Sequence, residues 1–296
     1  MNSSKLLLCV FSVLLLVFSC VNIPDAAYQQ EISDWQTSRI ERLKSKNGWL
    51  NLAGLFWLKD GENSFGSDSS NSIIFPSGSE GFLGSIIKSG DSLRLICNTN
   101  ANITIDGLSV NEALLNADDT GKPNLMISGS YAWLIIKRDG RYGIRLRDYN
   151  HPRIAKLDSI PCYKTSEEWR IEAEFVPYES IRKMEIATVI GGTEISNCPG
   201  ELVFRKGLKK YTLLPFAEGD AFFIIFADKT NGIETYGNGR FLYTSKPDPS
   251  NKVAIDFNKA YNPPCAFSPF ATCPMPPKEN ILDLEVFAGE KEVHFK

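Results

Sequence analysis

Histidine is nearly absent: the 296 residues hold two, His151 and His294. A zinc site needs more ligands of the right type than that, so no metal and no cofactor is expected. The same shortage weakens any Ser/His/Asp or Cys/His arrangement, because activation of the nucleophile there rests on an imidazole base. An excess of positive charge is also lacking. Lys and Arg number 32 against 35 Asp and Glu, leaving a net charge of −3. No run of like charges occurs, and a nucleic-acid partner would call for a basic stripe, so none is expected. No internal repeat is visible. The longest apolar run, Leu6 to Phe18, is too short to cross a bilayer comfortably.

That run has a different use. Lys5 precedes it, Ser12 alone interrupts it, and Ser19-Cys20 follow, which is the build of a secretory signal. Val17-Phe18-Ser19 before Cys20 resembles a bacterial lipoprotein box, against the plainer reading of a signal cleaved nearby. The expectation is a signal peptide over 1–19 and a lipidated (palmitate-bearing) Cys20. The chain would then sit in the bacterial cell envelope, on the membrane through its lipid anchor, facing the periplasm or the cell surface. With Cys9 and Cys20 set aside, Cys97, Cys162, Cys198, Cys265 and Cys273 remain, an odd number, so at least one is unpaired. Cys265 and Cys273 are the plausible local disulfide.

Residues 20–48 read as the lipidated tether and an amphipathic helix. Ile32, Trp35, Ile40 and Leu43 fall near helical spacing from Tyr28 to Lys46, with Glu31, Asp34, Arg39, Glu41 and Arg42 between them. Asn47-Gly48 should stop the helix with a left-handed glycine, and the helix should pack across the unit that follows. Residues 49–148 are short strands and turns with no helical run, which indicates a β-sandwich. Lys59 to Asn63 reads as a hairpin turn, and Arg145, Arg147 and Asp148 as an Arg–Asp tie between the halves. His151, beside Pro152, reads as an exposed turn residue. Residues 149–296 form a second strand-rich unit, sandwich or barrel. Ala221 to Ala227 is its central buried strand, and Leu282–Phe287 and Glu292–Phe295 are its closing strands.

The stretch from Val253 to Leu282 stands apart. Pro263, Pro264, Pro269, Pro274, Pro276 and Pro277 forbid a regular ladder or helix. Yet Phe257, Tyr261, Phe267, Phe270 and Met275 make the stretch too apolar for a solvated linker. Such a loop must be packed as a cover, and Asp256, Asn258, Asn262 and Asn280 must find partners or line a site. Upstream, Asp228 to Arg240 is a glycine-rich loop without the following helix that a phosphate cradle requires. It reads as a wide hairpin in which Asp228 and Thr230 satisfy turn amides. Arg240 and Asp256 are expected to meet as a buried ion pair beneath the Asn262-Pro263-Pro264 corner.

DFNKAYNPPCAF, then ATCPMPP, with ETYGNGRFLY upstream, resemble the signature of the DUF1684 family of uncharacterised bacterial and archaeal proteins. WLNLAGLFWLKDGENSFGSD, the Asp118-Asp119 pair, GIRLRD and NCPG agree, so the resemblance runs from about Trp35 to Lys291. It implies no known activity. The order GENSFGSD, NSIIFP and an IDG turn is similar to a forkhead-associated (FHA) domain. The phosphothreonine readers do not carry over: Gly66-Ser67 stands where that family has Gly-Arg, and no Ser-x-x-His follows Pro76.

Three function classes follow. The first is a binding module for a small or polymeric polar ligand, with a pocket made by Tyr236, Arg240, Asp256, Asn258, Tyr261 and Asn262. The second is a hydrolase using Asp256 or Glu234 as acid/base, with Cys265 the sole candidate nucleophile in the motif. The third is a structural or accessory envelope subunit.

Overall fold

A computed structural model describes residues 25–295; the signal-peptide and Cys20 readings lie outside them. The described chain is mainly β and opens with one helix, α1 (Ala26–Lys44). Its inward stripe is Tyr28, Ile32, Arg39 and Leu43, all buried. The stripe does not pack on the unit that follows it in sequence. Tyr28 donates to Asp256 Oδ1 at 2.8 Å, and Leu43 packs with Leu50, Leu157 and Phe267, so α1 lies on the second unit. A buried arginine within the stripe explains the preference, because its acidic partner, Glu290, is at the far end of the chain. The helix also ends differently from expectation, at Lys44 with Ser45 extended. Gly48 is needed for room, not for a left-handed turn. A Cβ there would lie 2.1 Å from the Leu43 carbonyl oxygen.

The first unit runs through β1 (Leu52–Trp57), β2 (Gly61–Gly66), β3 (Ile73–Ile74), β4 (Gly84–Ser89), β5 (Ser92–Cys97) and β6 (Thr104–Ile105). It continues with β7 (Leu108–Ser109), β8 (Glu112–Leu114), β9 (Met126–Ser128), β10 (Tyr131–Arg138) and β11 (Arg141–Asp148). One sheet has the order β1-β11-β10-β9-β6-β7, the other β3-β2-β4-β5-β8. Phe65, Phe75, Leu83, Ile86 and Leu95 meet Met126, Trp133, Ile144 and Leu146 in a shared core, which makes a sandwich. The Lys59–Asn63 turn joins the two sheets and not a hairpin, since β1 pairs with β11 while β2 pairs with β3 and β4. Asn63 fixes that crossing. Its side chain accepts from Lys59 N and donates to the carbonyls of Lys59 and Ile86.

After α2 (Pro152–Lys156), whose N-cap is a half-buried His151, comes the second unit. Its strands are β12 (Arg170–Ala187), β13 (Thr193–Lys206), β14 (Lys209–Leu213), β15 (Phe216–Glu218), β16 (Ala221–Phe226), β17 (Arg240–Ser245) and β18 (Lys252–Asp256). Two sheets form, β14-β13-β12-β18 and β15-β16-β17. Their inner faces share Ala173, Leu202, Phe204 and Leu213 with Phe222, Ile224, Phe226 and Leu242. The long β12 is a single strand whose ladder with β13 breaks between Pro177 and Arg182. Proline lacks the donor that the ladder would use there.

The expected closing strands at 282–287 and 292–295 do not form. The carbonyls of Val286 and Ala288 instead accept from the Arg240 guanidinium, so a side chain satisfies them where a ladder would. The Arg–Asp tie between the units is also replaced. Arg145 donates to Thr272 Oγ1, Arg147 to Asn51 Oδ1 and the Gly48 carbonyl, and Asp148 accepts from the Asn150 amide.

Candidate functional site

The six residues expected to form one pocket are dispersed. Arg240 does not meet Asp256. Its Nη2 lies 2.8 Å from Asp228 Oδ2, and both side chains are fully buried. The ladder partners explain this: β17 pairs with β16, which sets Arg240 opposite Phe226, whereas β18 pairs with β12, which sets Asp256 opposite Arg170. Asp228 also accepts from the backbone and side chain of Thr230, as a hairpin reading of that loop requires. Asp256 and Asn258 face Tyr28, with Asn258 Nδ2 donating to Tyr28 Oη at 2.9 Å. Asn262 donates its amide N–H to Glu290 Oε2 at 2.7 Å and its side-chain NH2 to the Lys291 carbonyl. Tyr236 meets Asn238 at the rim of its own loop. Only Tyr261 of the six lines the largest cavity described.

The catalytic candidates fare no better. Glu234 pairs with Lys291 at 2.7 Å, and that contact holds its carboxyl below the ordinary range, the wrong direction for a general acid. Asp256 is held by Tyr28 and Asn258 away from the cavity lining. Cys265 is bonded to Cys273, Cα–Cα 6.2 Å, so it offers no thiolate. Among the described residues, no three His, Cys, Asp or Glu side chains are grouped to hold a metal ion.

The cavity that Tyr261 lines has a volume of about 520 Å³ and lies between α1, the β15-β16-β17 sheet and the start of the proline loop. Each wall follows from a local period. Trp35, Arg39 and Arg42 stand at i, i+4 and i+7 on α1, one helical face. Phe241 and Tyr243 alternate onto one face of β17, and Phe223 of β16 is in register with Tyr243. Tyr261 is set against the sheet by exchanging both backbone hydrogen bonds with Phe241, at 2.8 and 2.9 Å. Trp49, Lys259 and Pro264 complete the lining.

The aromatic rings form one continuous surface. Phe223 lies 5.0 Å from Phe241 and 4.9 Å from Tyr243, and the Tyr243 and Tyr261 rings are parallel within 9°. The Arg39 guanidinium sits 4.5 Å over Tyr261. Below it, Glu290 accepts from Arg39 Nε at 3.1 Å, and the Asn262 carbonyl accepts from Nη2 at 2.8 Å. Burial pushes the Glu290 carboxyl up, while the Arg39 charge and the Asn262 amide pull it down. Burial likewise raises the Tyr243 and Tyr261 phenols, so they offer ring faces and O–H groups, not charge. Tyr243 donates to Glu218 Oε2 at 2.8 Å.

The lining therefore holds three cations, Arg39, Arg42 and Lys259, and no carboxylate. In the sequence Arg39 and Arg42 stand between the apolar positions of an amphipathic helix, where charged residues usually face water. The readable signal was the Trp35-Arg39-Arg42 stripe itself, paired with the Phe241-x-Tyr243 alternation.

A mainly β chain of two strand-rich units, with an aromatic, cation-edged cavity on the second, is the class that fold and site define. Residues 155–291 match the model of a family described as protein of unknown function, DUF1684. The match covers the second unit and the proline loop, while the motif pieces between Trp35 and Asp148 lie outside it. No curated protein matches the chain. An uncharacterised protein of Haloarcula marismortui, solved in solution by NMR, is similar at 26% identity and a TM-score of 0.40, over 46% of this chain and 78% of that one. The Rv0020c FHA structure is similar at 17% identity and a TM-score of 0.22, over 31% of this chain and 88% of that one. Another solved structure, from a structural and functional analysis of phosphothreonine-dependent FHA domain interactions, gives 19% and 0.22, over 31% and 92%.

Proposed function

We propose that the chain is a ligand-binding module of the bacterial cell envelope, held to the membrane by an acylated Cys20, and that its ligand occupies the cavity under α1. The observation that carries the binding reading is the lining: a continuous aromatic surface edged by cations and free of carboxylates. Concave, largely apolar sites with a few polar groups suit a small ligand or one end of a polymer, and about 520 Å³ is within the usual range of such sites. The alternative, a hydrolase using Asp256 or Glu234 as acid/base, gains nothing from that lining, which includes neither residue. The anchor rests on the residues around Cys20 alone.

Two measurements test this. Methyl glucoside and benzyl alcohol serve as neutral ring probes in saturation-transfer NMR. Signal transfer to at least one of them from the wild type, lost in Trp35→Ala and Tyr261→Ala, is the expected result. No transfer to either ring, nor to their anionic counterparts, removes the binding reading. Cys20→Ala should move the protein from the membrane fraction to the soluble one, and a variant that stays in the membrane fraction refutes the anchor.

A further inference from the structure

The three cations on the cavity wall are not equivalent. Arg39 is neutralised from below by Glu290, and its guanidinium is committed to Glu290, to the Asn262 carbonyl and to the Tyr261 face. Lys259 is engaged by Glu31 at 2.5 Å, with Asp256 at 4.0 Å. Arg42 differs. It is exposed, lines the cavity beside Tyr261, and makes no ion pair among the described residues. A guanidinium whose five donors are free presents a planar fork that matches a carboxylate in two parallel hydrogen bonds. No lining carboxylate competes for it.

The rest of the lining says what must accompany the anion. Phe223, Tyr243 and Tyr261 give a flat surface against which a ring can lie, through dispersion and the hydrophobic effect together. We infer that the cavity takes a ring compound carrying one carboxylate, its ring against the Tyr243–Tyr261 surface and its carboxylate on Arg42. A sugar acid and an aromatic acid share this chemistry. This deepens the binding reading above and rests on it.

The test measures glucuronate and benzoate against their neutral counterparts, methyl glucoside and benzyl alcohol, by tryptophan fluorescence titration with saturation-transfer NMR as a second readout. Trp35 and Trp49 in the wall report occupancy. The expected result is that at least one acid binds about tenfold or more tightly than its neutral partner, the scale of one charge-assisted contact. Which acid wins identifies the source of the ring. Arg42→Gln should erase the acid's advantage over the neutral partner measured in the same variant, and Arg42→Lys should restore part of it. Lys259→Gln should change the ratio less, since that amine is already paired. The advantage should also shrink as salt is added. Equal affinity for acid and neutral rings in the wild type overturns the carboxylate inference while leaving the cavity as a site. An advantage that survives Arg42→Gln unchanged overturns the role of Arg42. Failure of all four probes to bind refutes the inference and the binding reading together.

Discussion

Arg240 and Asp228 carry the most consequential contact that the sequence left unassigned. Both side chains are fully buried, and the guanidinium also binds the carbonyls of Val286 and Ala288, so one residue orders the final segment. Breaking a buried pair from one side leaves an uncompensated charge, which costs ~3–5 kcal/mol. Asp228→Ala should therefore lower the urea midpoint by a large part of a domain's stability. Asp256→Ala removes hydrogen bonds with Tyr28 and Asn258 and no fully buried ion pair, so its cost should be the smaller of the two. Equal losses, or a larger one for Asp256→Ala, would contradict this assignment of the arginine's partner. The residue types were legible: a buried arginine and a loop holding two carboxylates, Asp228 and Glu234. Which carboxylate it takes was not, because that depends on which strand is whose neighbour. β17 and β18 follow each other in sequence yet belong to different sheets.

At the scale of elements, α1 is clasped to the proline loop by Glu290, which accepts from both Arg39 and the Asn262 amide. Through Arg39 this clasp reaches the cavity lining. The carboxyl lies above its ordinary value of 4.5, chiefly because burial disfavours the charged form. The folded chain then holds this proton to higher pH than the unfolded chain does. The stability so gained is fully present below the unfolded value and is lost as pH rises through the folded one. Glu290→Gln keeps the shape and removes the titration. The difference in unfolding free energy, wild type minus variant, should fall as pH is raised from about 4 toward neutrality. A difference that grows over that interval would mean the Arg39 charge outweighs burial. The helix was legible from its period, and the sandwich from its turns. The side on which the helix lies was not, since the acid that Arg39 needs is 251 positions away.

The two units share structure that a boundary near Asp148 would divide. Leu52 and Ala53 are adjacent on β1, at the register shift between Leu52 and Gly54, and pack on different cores. Ala53 packs on the sandwich core, whereas Leu52, fully buried, joins Ile186, Cys198, Leu214, Ile225 and Phe241 of the second unit. Arg153 spans the same seam, donating to the carbonyls of Leu52 and Phe267. A first-unit strand thus supplies part of the second unit's core, in the same cluster as Phe223, Phe241 and Tyr261 of the cavity wall. Leu52→Ala should cost ~2–5 kcal/mol, the range for a buried leucine whose site cannot fully collapse. The location of the damage separates shared from independent cores. Native-state hydrogen exchange should quicken at Ile225 and Phe241 amides, although neither residue belongs to the sheet containing position 52. Ring-probe affinity in the cavity should weaken as well, because Phe223 and Phe241 lose a packing neighbour of their own cluster. If exchange quickens only along β10 and β11 while β16 and β17 keep their protection, the two units are energetically separate and the cavity is independent of the sandwich.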